Sequence, residues 1–167
     1  MNQVLLLQEI AYAHGIEIAY KNLHAKHPQL DGYAWPYQGL IVLDESLQGK
    51  LRQEKCVLAE EIGHCLYPPA AGHISYHYAG YRHLSQWERD NLAVLVTKDE
   101  RLALHWGTSF LIPDKAFWEY AQKGPHEWWE WLEHFDVEDW FMRAKFGFMR
   151  TKHPFKWREM IKRNATG

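Results

Sequence analysis

The segment that most constrains the fold is a predicted long helix over about Gln48–Tyr67, which two consecutive prolines end. Its central residues, Cys56–His64, have the sequence Cys-Val-Leu-Ala-Glu-Glu-Ile-Gly-His. On a helix, Glu60 and His64 lie one turn apart on the same face, at positions i and i+4. Glu61 lies about 100° further around the helix axis. This helix therefore presents two carboxylates and one imidazole within about one turn.

That spacing matches the zinc-binding H-E-x-x-H helix, with the first histidine replaced by Glu60. A carboxylate oxygen ligates zinc at a distance similar to that of an imidazole nitrogen. A catalytic zinc needs a third protein ligand and one open position, and Glu100 on the next predicted long helix is the best candidate. Two carboxylates and His64 form a harder donor set than two histidines, so manganese and iron are also compatible.

The spacing alone leaves ordinary alternatives open. A single E-E-x-x-H pattern occurs by chance, and Glu60 or Glu61 could instead face solvent or pair with Lys55. A second i, i+4 pair, His73 and His77, is bracketed by glycines in a predicted loop, so we expect these histidines to be surface or pocket residues.

The remaining patterns predict a mixture of helices and strands. Turn-forming residues over His24–Gln38 indicate a loop or an irregular hairpin, and those over Gly72–Gly80 indicate a loop. Apolar periodicity predicts short strands over residues 16–20 and 39–43, and helices over residues 5–13, 86–110, 114–122, 126–134 and 138–146.

Composition excludes several classes of protein. With 167 residues, of which 47% are hydrophobic, the chain can bury a substantial core and is not intrinsically disordered. Its net charge of −2 gives no overall attraction to nucleic acids or anionic membranes. No apolar run has the length of a signal peptide core or a membrane helix. We therefore expect a cytoplasmic protein with no membrane partner.

The C-terminal quarter combines a helical hairpin with a basic stretch. Residues 131–143 have the pattern of two helices joined by a tight turn, as in helix-turn-helix units. Between Arg143 and Arg163 there are eight Lys or Arg residues and one acid. The ordinary interpretation is a packed appendage with a solvated surface and a frayed basic tail. The alternative is contact with DNA or a partner protein through Arg143, Lys145, Arg150 and Lys152.

Several strings, in this order, resemble the ImmA/IrrE family of metallo-endopeptidase-like proteins, which are common on phages and mobile elements. They span roughly residues 4 to 150, and their order and spacing make a chance match unexpected. The strings are Gly15-Ile16, Gly39-Leu40-Ile41-Val42-Leu43, Val57-Leu58-Ala59-Glu60-Glu61-Ile62-Gly63-His64, Glu100-x-x-Ala103, Phe110-Leu111-Ile112-Pro113 and Trp131-Leu132-x-x-Phe135-x-Val137.

The resemblance implies a zincin-like α+β metallopeptidase domain over residues 1–123, in which a small sheet packs on long helices. Residues 124–167 would form a helical, helix-turn-helix-like extension. It further implies a zinc-dependent endopeptidase that cleaves a helix-turn-helix repressor and thereby derepresses a phage or mobile element. Glu61 would be the general base, and His64 and Glu100 would be metal ligands. Glu60 occupies a ligand position that is histidine in much of the family.

The competing hypothesis is a non-catalytic regulatory module, in which an inactive peptidase fold binds a repressor protein or DNA. No residue is assigned to oxyanion stabilisation. Candidates that follow the central helix are Tyr67, His73, Tyr76 and His77.

Overall fold

A four-stranded mixed sheet and seven α-helices form the part of the chain that the structure describes, which confirms the α+β class. The computed structural model describes the backbone of residues 2–68, 75–78 and 98–165, and the side chains of residues 2–68 and 101–163. The helices are α1 (Gln3–Ala13), α2 (Leu51–Leu66), α3 (Lys98–Leu111), α4 (Asp114–Ala121), α5 (Trp128–Phe135), α6 (Asp139–Lys152) and α7 (Pro154–Ala165).

The strand order in the sheet is β1-β3-β2-β4. Strand β3 (Leu40–Asp44) pairs in parallel with β1 (Glu17–Lys21) and antiparallel with β2 (Leu30–Trp35). Strand β4 (Ser75–Tyr78) adds to the other side of β2, again antiparallel. The predicted strands over residues 16–20 and 39–43 are thus confirmed as β1 and β3. The helix predicted over residues 5–13 is confirmed as α1.

Of the two predictions for His24–Gln38, a simple loop is wrong and a hairpin is the better one, because the segment contains strand β2, which pairs antiparallel with β3 directly after it. The turn-forming residues of this segment have tertiary roles instead. Asp31 is 1% exposed, and its Oδ1 lies 3.2 Å from His24 Nε2. Gly32 passes so close to β3 that a Cβ atom there would lie 2.9 Å from Leu43 Cδ2. Packing, rather than a chain reversal, explains why this strand contains an aspartate and a glycine.

The segment between α2 and α3 is only partly described. The loop predicted over Gly72–Gly80 is wrong for Ser75–Tyr78, which pair with β2 as strand β4. The predicted helix over residues 86–110 is observed from Lys98 onward as α3, and residues 86–97 lie outside the described part of the chain.

The C-terminal segment is more ordered than the sequence predicts. Helix α6 continues to Lys152, beyond the predicted end at residue 146. The predicted frayed tail is wrong, because α7 follows directly and buries Met160, which is 6% exposed. The ring of Trp157 on α7 packs edge-on against Phe146 on α6, with ring centroids 5.4 Å apart. These aromatic contacts hold α7 against α6, although the charge pattern of α7 suggested a solvated tail.

One continuous cluster of buried side chains joins the two predicted regions, residues 1–123 and 124–167. It contains Leu58 and Ile62 of α2 together with Phe117 of α4 and Phe141 of α6, each of them 0% exposed. Within the predicted hairpin, Val137 is also 0% exposed. The α5–α6 hairpin is therefore built into the same core as the central helix.

Candidate functional site

Helix α2 carries the predicted metal and catalytic residues in its buried part. Glu61 is 0% exposed and His64 is 3% exposed, whereas Glu60 is partly exposed. A solvent-facing role for Glu61 is therefore wrong. Pairing of the glutamates with Lys55 is also wrong, because the Lys55 Nζ donates to Asp136 Oδ2 at 2.7 Å and to Gln3 Oε1 at 2.9 Å.

Helix α3 crosses this part of α2 at very short range, through two reciprocal contacts between small residues. A Cβ atom on Gly63 would lie 2.8 Å from the Cα of Ala103. A Cβ atom on Gly107 would lie 3.0 Å from the carbonyl oxygen of Ala59. Since the earlier residue on α2 faces the later residue on α3, the two helices run antiparallel. Any side chain at Gly63 would push α3 away from α2 at the position next to His64.

This crossing determines where Glu100 lies relative to His64. Counted from the Gly63–Ala103 contact, His64 lies about 1.5 Å further along α2, and Glu100 lies about 4.5 Å along α3 in the same direction, because the rise is about 1.5 Å per residue. The two backbone positions are thus at nearly the same level on adjacent helices. The side chain of Glu100 lies outside the described residues.

The donor chemistry of this region fits a divalent cation. Carboxylates and an imidazole, with two of the three side chains buried, are ligands that zinc and manganese accept. Among the side chains that the structure describes, no group of three His, Cys, Asp or Glu residues forms a metal-binding arrangement. Glu60, Glu61 and His64 are among these described side chains, whereas Glu100, the expected third ligand, is not.

The neighbouring cysteine is not part of the proposed chemistry. Burial, together with the charge of Glu61, raises the pKa of the Cys65 thiol to about 12. Cys65 is thus a protonated thiol at neutral pH, which is a poor nucleophile. Cys65 and Cys56 are both free.

Four residues were named as candidates for oxyanion stabilisation. Tyr67 lies at the C-terminal end of α2 and is 43% exposed. Tyr76 and His77 lie on β4, opposite Tyr33 and Gly32 of β2, and their side chains lie outside the described residues. His73 lies outside the described part of the chain altogether.

The four cations named for partner or DNA contact lie on α6, and three of them form ion pairs within the chain, although only Lys145 is buried. Lys145 is 1% exposed, and its Nζ donates to Asp114 Oδ1 at 2.6 Å; Lys152 donates to the other oxygen of the same carboxylate at 2.5 Å. Arg143 donates to Asp139, one turn earlier on α6. Arg150 is exposed and forms no ion pair with any described residue.

The distance between α2 and α3 is set by small residues that were not among the predicted site residues. Each helix has an alanine followed four residues later by a glycine, Ala59 with Gly63 and Ala103 with Gly107. Small residues four apart lie on one helix face and let a second helix approach closely. The same Ala-x-x-x-Gly pattern is therefore present in the sequence of both helices, in segments about forty residues apart.

Comparisons with known proteins add no assignment. No helix among the described residues has the length and apolarity to cross a membrane. No protein-family model, curated protein or solved structure matches this chain.

Proposed function

We propose that this chain is a metal-dependent endopeptidase that cleaves a helix-turn-helix repressor and so derepresses the genes of a phage or mobile element. The observation that carries the peptidase proposal is the position of Glu61 and His64, buried on α2 where α3 crosses it most closely. A charged carboxylate is costly to bury, and a bound cation at the same position offsets that cost. The repressor as substrate rests on the family resemblance described above.

In this proposal Glu60, His64 and Glu100 hold a zinc or manganese ion. When bound, such an ion lowers the pKa of a coordinated water and polarises the scissile carbonyl group. The Glu61 carboxylate accepts a proton from the attacking water and returns it to the leaving amine nitrogen. Its burial keeps the carboxylate in place and removes competing solvent, which suits a general base.

The first test is the metal content of protein purified without chelators or a metal-binding tag, measured by elemental mass spectrometry. We expect about one equivalent of zinc or manganese, lost in His64→Ala and in Glu100→Ala. His27→Ala and Glu45→Ala, which remove exposed side chains of the same types, serve as matched controls and should keep the metal. Wild-type protein that remains metal-free after zinc is added would contradict the proposal and favour the non-catalytic module.

The role of Glu61 is tested separately from metal binding. Glu61→Gln removes the base but keeps the size and shape of the side chain, so it should retain the metal and lose cleavage of the repressor by a factor of about 10²–10⁴. The measurement is cleavage of a purified helix-turn-helix repressor, which the family resemblance implies is encoded in a neighbouring gene, followed by gel electrophoresis and mass spectrometry. A Glu61→Gln protein that cleaves at the wild-type rate would remove Glu61 from the mechanism.

A further inference from the structure

A groove opens where helices α5, α6 and α7 meet, well separated in the chain from the residues of the candidate site. It has a volume of about 310 Å³, near the lower end for ligand sites in proteins. We name it the tryptophan groove, and it is lined by Trp128, Arg143, Phe146, Gly147, Arg150 and Trp157.

Aromatic contacts hold the walls of the tryptophan groove in place. The ring of Phe146 packs edge-on against Trp128 and Trp157, with centroid distances of 5.1 and 5.4 Å. The guanidinium group of Arg143 lies 4.9 Å from the Trp128 ring centroid and is also bonded to Asp139. The groove is thus formed before any ligand binds, which lowers the entropic cost of binding.

Gly147 distinguishes this groove from the shallow depressions found on most protein surfaces. It lies in the middle of α6, where glycine costs about 1 kcal/mol relative to alanine. A Cβ atom on Gly147 would have no atom of the described residues within 4 Å, in contrast to Gly63 and Gly107, which neighbouring backbone requires to be glycine. The missing side chain leaves open space beside the aromatic walls, where a ligand can approach the helix closely.

The cations that line the groove are both arginines, and they point to the kind of ligand. Arg143 forms an exposed ion pair with Asp139, which also accepts a hydrogen bond from Trp128 Nε1, whereas Arg150 forms no ion pair with any described residue. Elsewhere on α6, Lys145 and Lys152 are bound to Asp114. Nucleic acids are bound through several unpaired cations. One arginine without an ion-pair partner, in a groove whose walls include two tryptophans and a phenylalanine, fits a single carboxylate next to a single large apolar side chain.

We propose that the tryptophan groove binds an acidic peptide segment of a partner protein. An aromatic or aliphatic side chain of the segment fills the space above Gly147, and an adjacent carboxylate accepts hydrogen bonds from Arg150. Tryptophan and arginine are the residues that dominate binding energy at protein interfaces, and arginine binds carboxylates in a bidentate manner. This proposal goes beyond the peptidase activity, because the groove can bind a partner whether or not α2 holds a metal.

The test uses fluorescence anisotropy with labelled acidic peptides that carry one Trp, Phe or Leu between glutamates, and the same peptides with Gln in place of Glu. We expect saturable binding of at least one acidic peptide and at least about tenfold weaker binding of its Gln counterpart. Arg150→Glu should weaken binding about tenfold or more. Arg158→Glu makes the same charge change on an exposed residue outside the groove and should have little effect.

Gly147→Leu separates binding from folding. Its Cβ atom meets no described atom within 4 Å, its longer side chain occupies the groove, and leucine has a higher helix propensity than glycine, so the variant should be at least as stable as wild type while losing peptide binding. Absence of saturable binding for every acidic peptide would overturn the proposal, as would equal losses in Arg150→Glu and Arg158→Glu. Tighter binding of a short oligothymidine than of any peptide would identify the surface as a nucleic-acid site instead.

Discussion

At the scale of single residues, helical glycines have two opposite functions in this protein. Gly63 and Gly107 lack a side chain because the backbone of the facing helix occupies the space where a Cβ atom would be. Gly147 has open space at the same position. By intrinsic helix propensity, each of the three glycines destabilises its helix by about 1 kcal/mol relative to alanine. Only the neighbouring helix determines whether an added methyl group stabilises or destabilises the fold.

We therefore expect opposite effects from the same substitution at two of these sites. Gly63→Ala should lower the free energy of unfolding by about 1–3 kcal/mol, because the methyl group overlaps the backbone of Ala103 and forces α3 outward. Gly147→Ala should raise it by about 0.5–1 kcal/mol. Urea denaturation of the two variants beside wild type measures both values. If Gly63→Ala were as stable as wild type, the close crossing that positions Glu100 near His64 would be wrong.

At the scale of elements, one carboxylate ties α4 to α6. Asp114 is the first residue of α4, where the helix dipole favours a negative charge. It accepts hydrogen bonds from the buried Lys145 and from Lys152, and these two ammonium groups hold the pKa of Asp114 far below its usual range against the opposing effect of burial. Burial in turn lowers the pKa of Lys145, an effect that Asp114 opposes. The buried lysine is therefore tolerable only while Asp114 is ionised.

This ion pair predicts a specific acid sensitivity. Because the folded-state pKa of Asp114 lies below the unfolded value of about 3.9, the unfolded chain binds the proton first as the pH falls. The stabilisation is therefore complete above about pH 5 and is lost as the pH falls below about 4. Asp114→Asn should lose about 1–3 kcal/mol of stability at pH 7, after allowing for the partial exposure of the pair.

The measurement is the urea midpoint as a function of pH for Asp114→Asn and wild type. The difference between the two should shrink as the pH falls from 5 to 2. Glu119→Gln is the matched control on the same helix, since Glu119 forms only an exposed pair with Lys115 at 3.7 Å. A constant difference across this pH range would show that Asp114 does not act through its charge.

At the scale of the whole molecule, polar contacts tie the first half of α2 to the α5–α6 turn. The buried Lys55 donates to Asp136, which takes the left-handed conformation (φ 50°) at the end of α5. Arg52 donates to Asp136 and Glu133. Burial also raises the pKa of the Cys56 thiol to about 12, and its Sγ accepts a hydrogen bond from the backbone N–H of Glu138 at 3.4 Å. Residues beyond 123 thus support the helix that carries the candidate site.

We expect the whole chain to unfold in a single transition, with coincident curves from far-UV circular dichroism and from tryptophan fluorescence. A chain ending at Lys123 should fail to fold, because it leaves Lys55 buried without its carboxylate and exposes the apolar surface of Phe117. Two separate transitions, or a truncated chain with a cooperative transition of its own, would instead support two domains divided between residues 123 and 124.

The sequence alone predicted the local structure of the central helix and the spacing of its candidate site residues. The i, i+4 relation of Glu60 and His64 is a property of one continuous helix, so it needed no tertiary information. The strands β1 and β3 and the α5–α6 hairpin were also predictable, because apolar periodicity and turn residues act over a few positions.

Only the tertiary structure decided which polar residues are buried, which segments pair, and which surfaces remain open. The segment of strand β2 was predicted only as a loop or an irregular hairpin, because Asp31 and Gly32 resemble turn residues and only their contacts with His24 and β3 show that they lie in a strand. Helix α7 was missed because its charges suggested a solvated tail until its aromatic residues packed on α6. Burial and pairing depend on residues distant in the chain, and local patterns carry no information about those partners. The local sequence of α2 is therefore enough to predict that helix, whereas the elements packed around it depend on the tertiary structure of the whole chain.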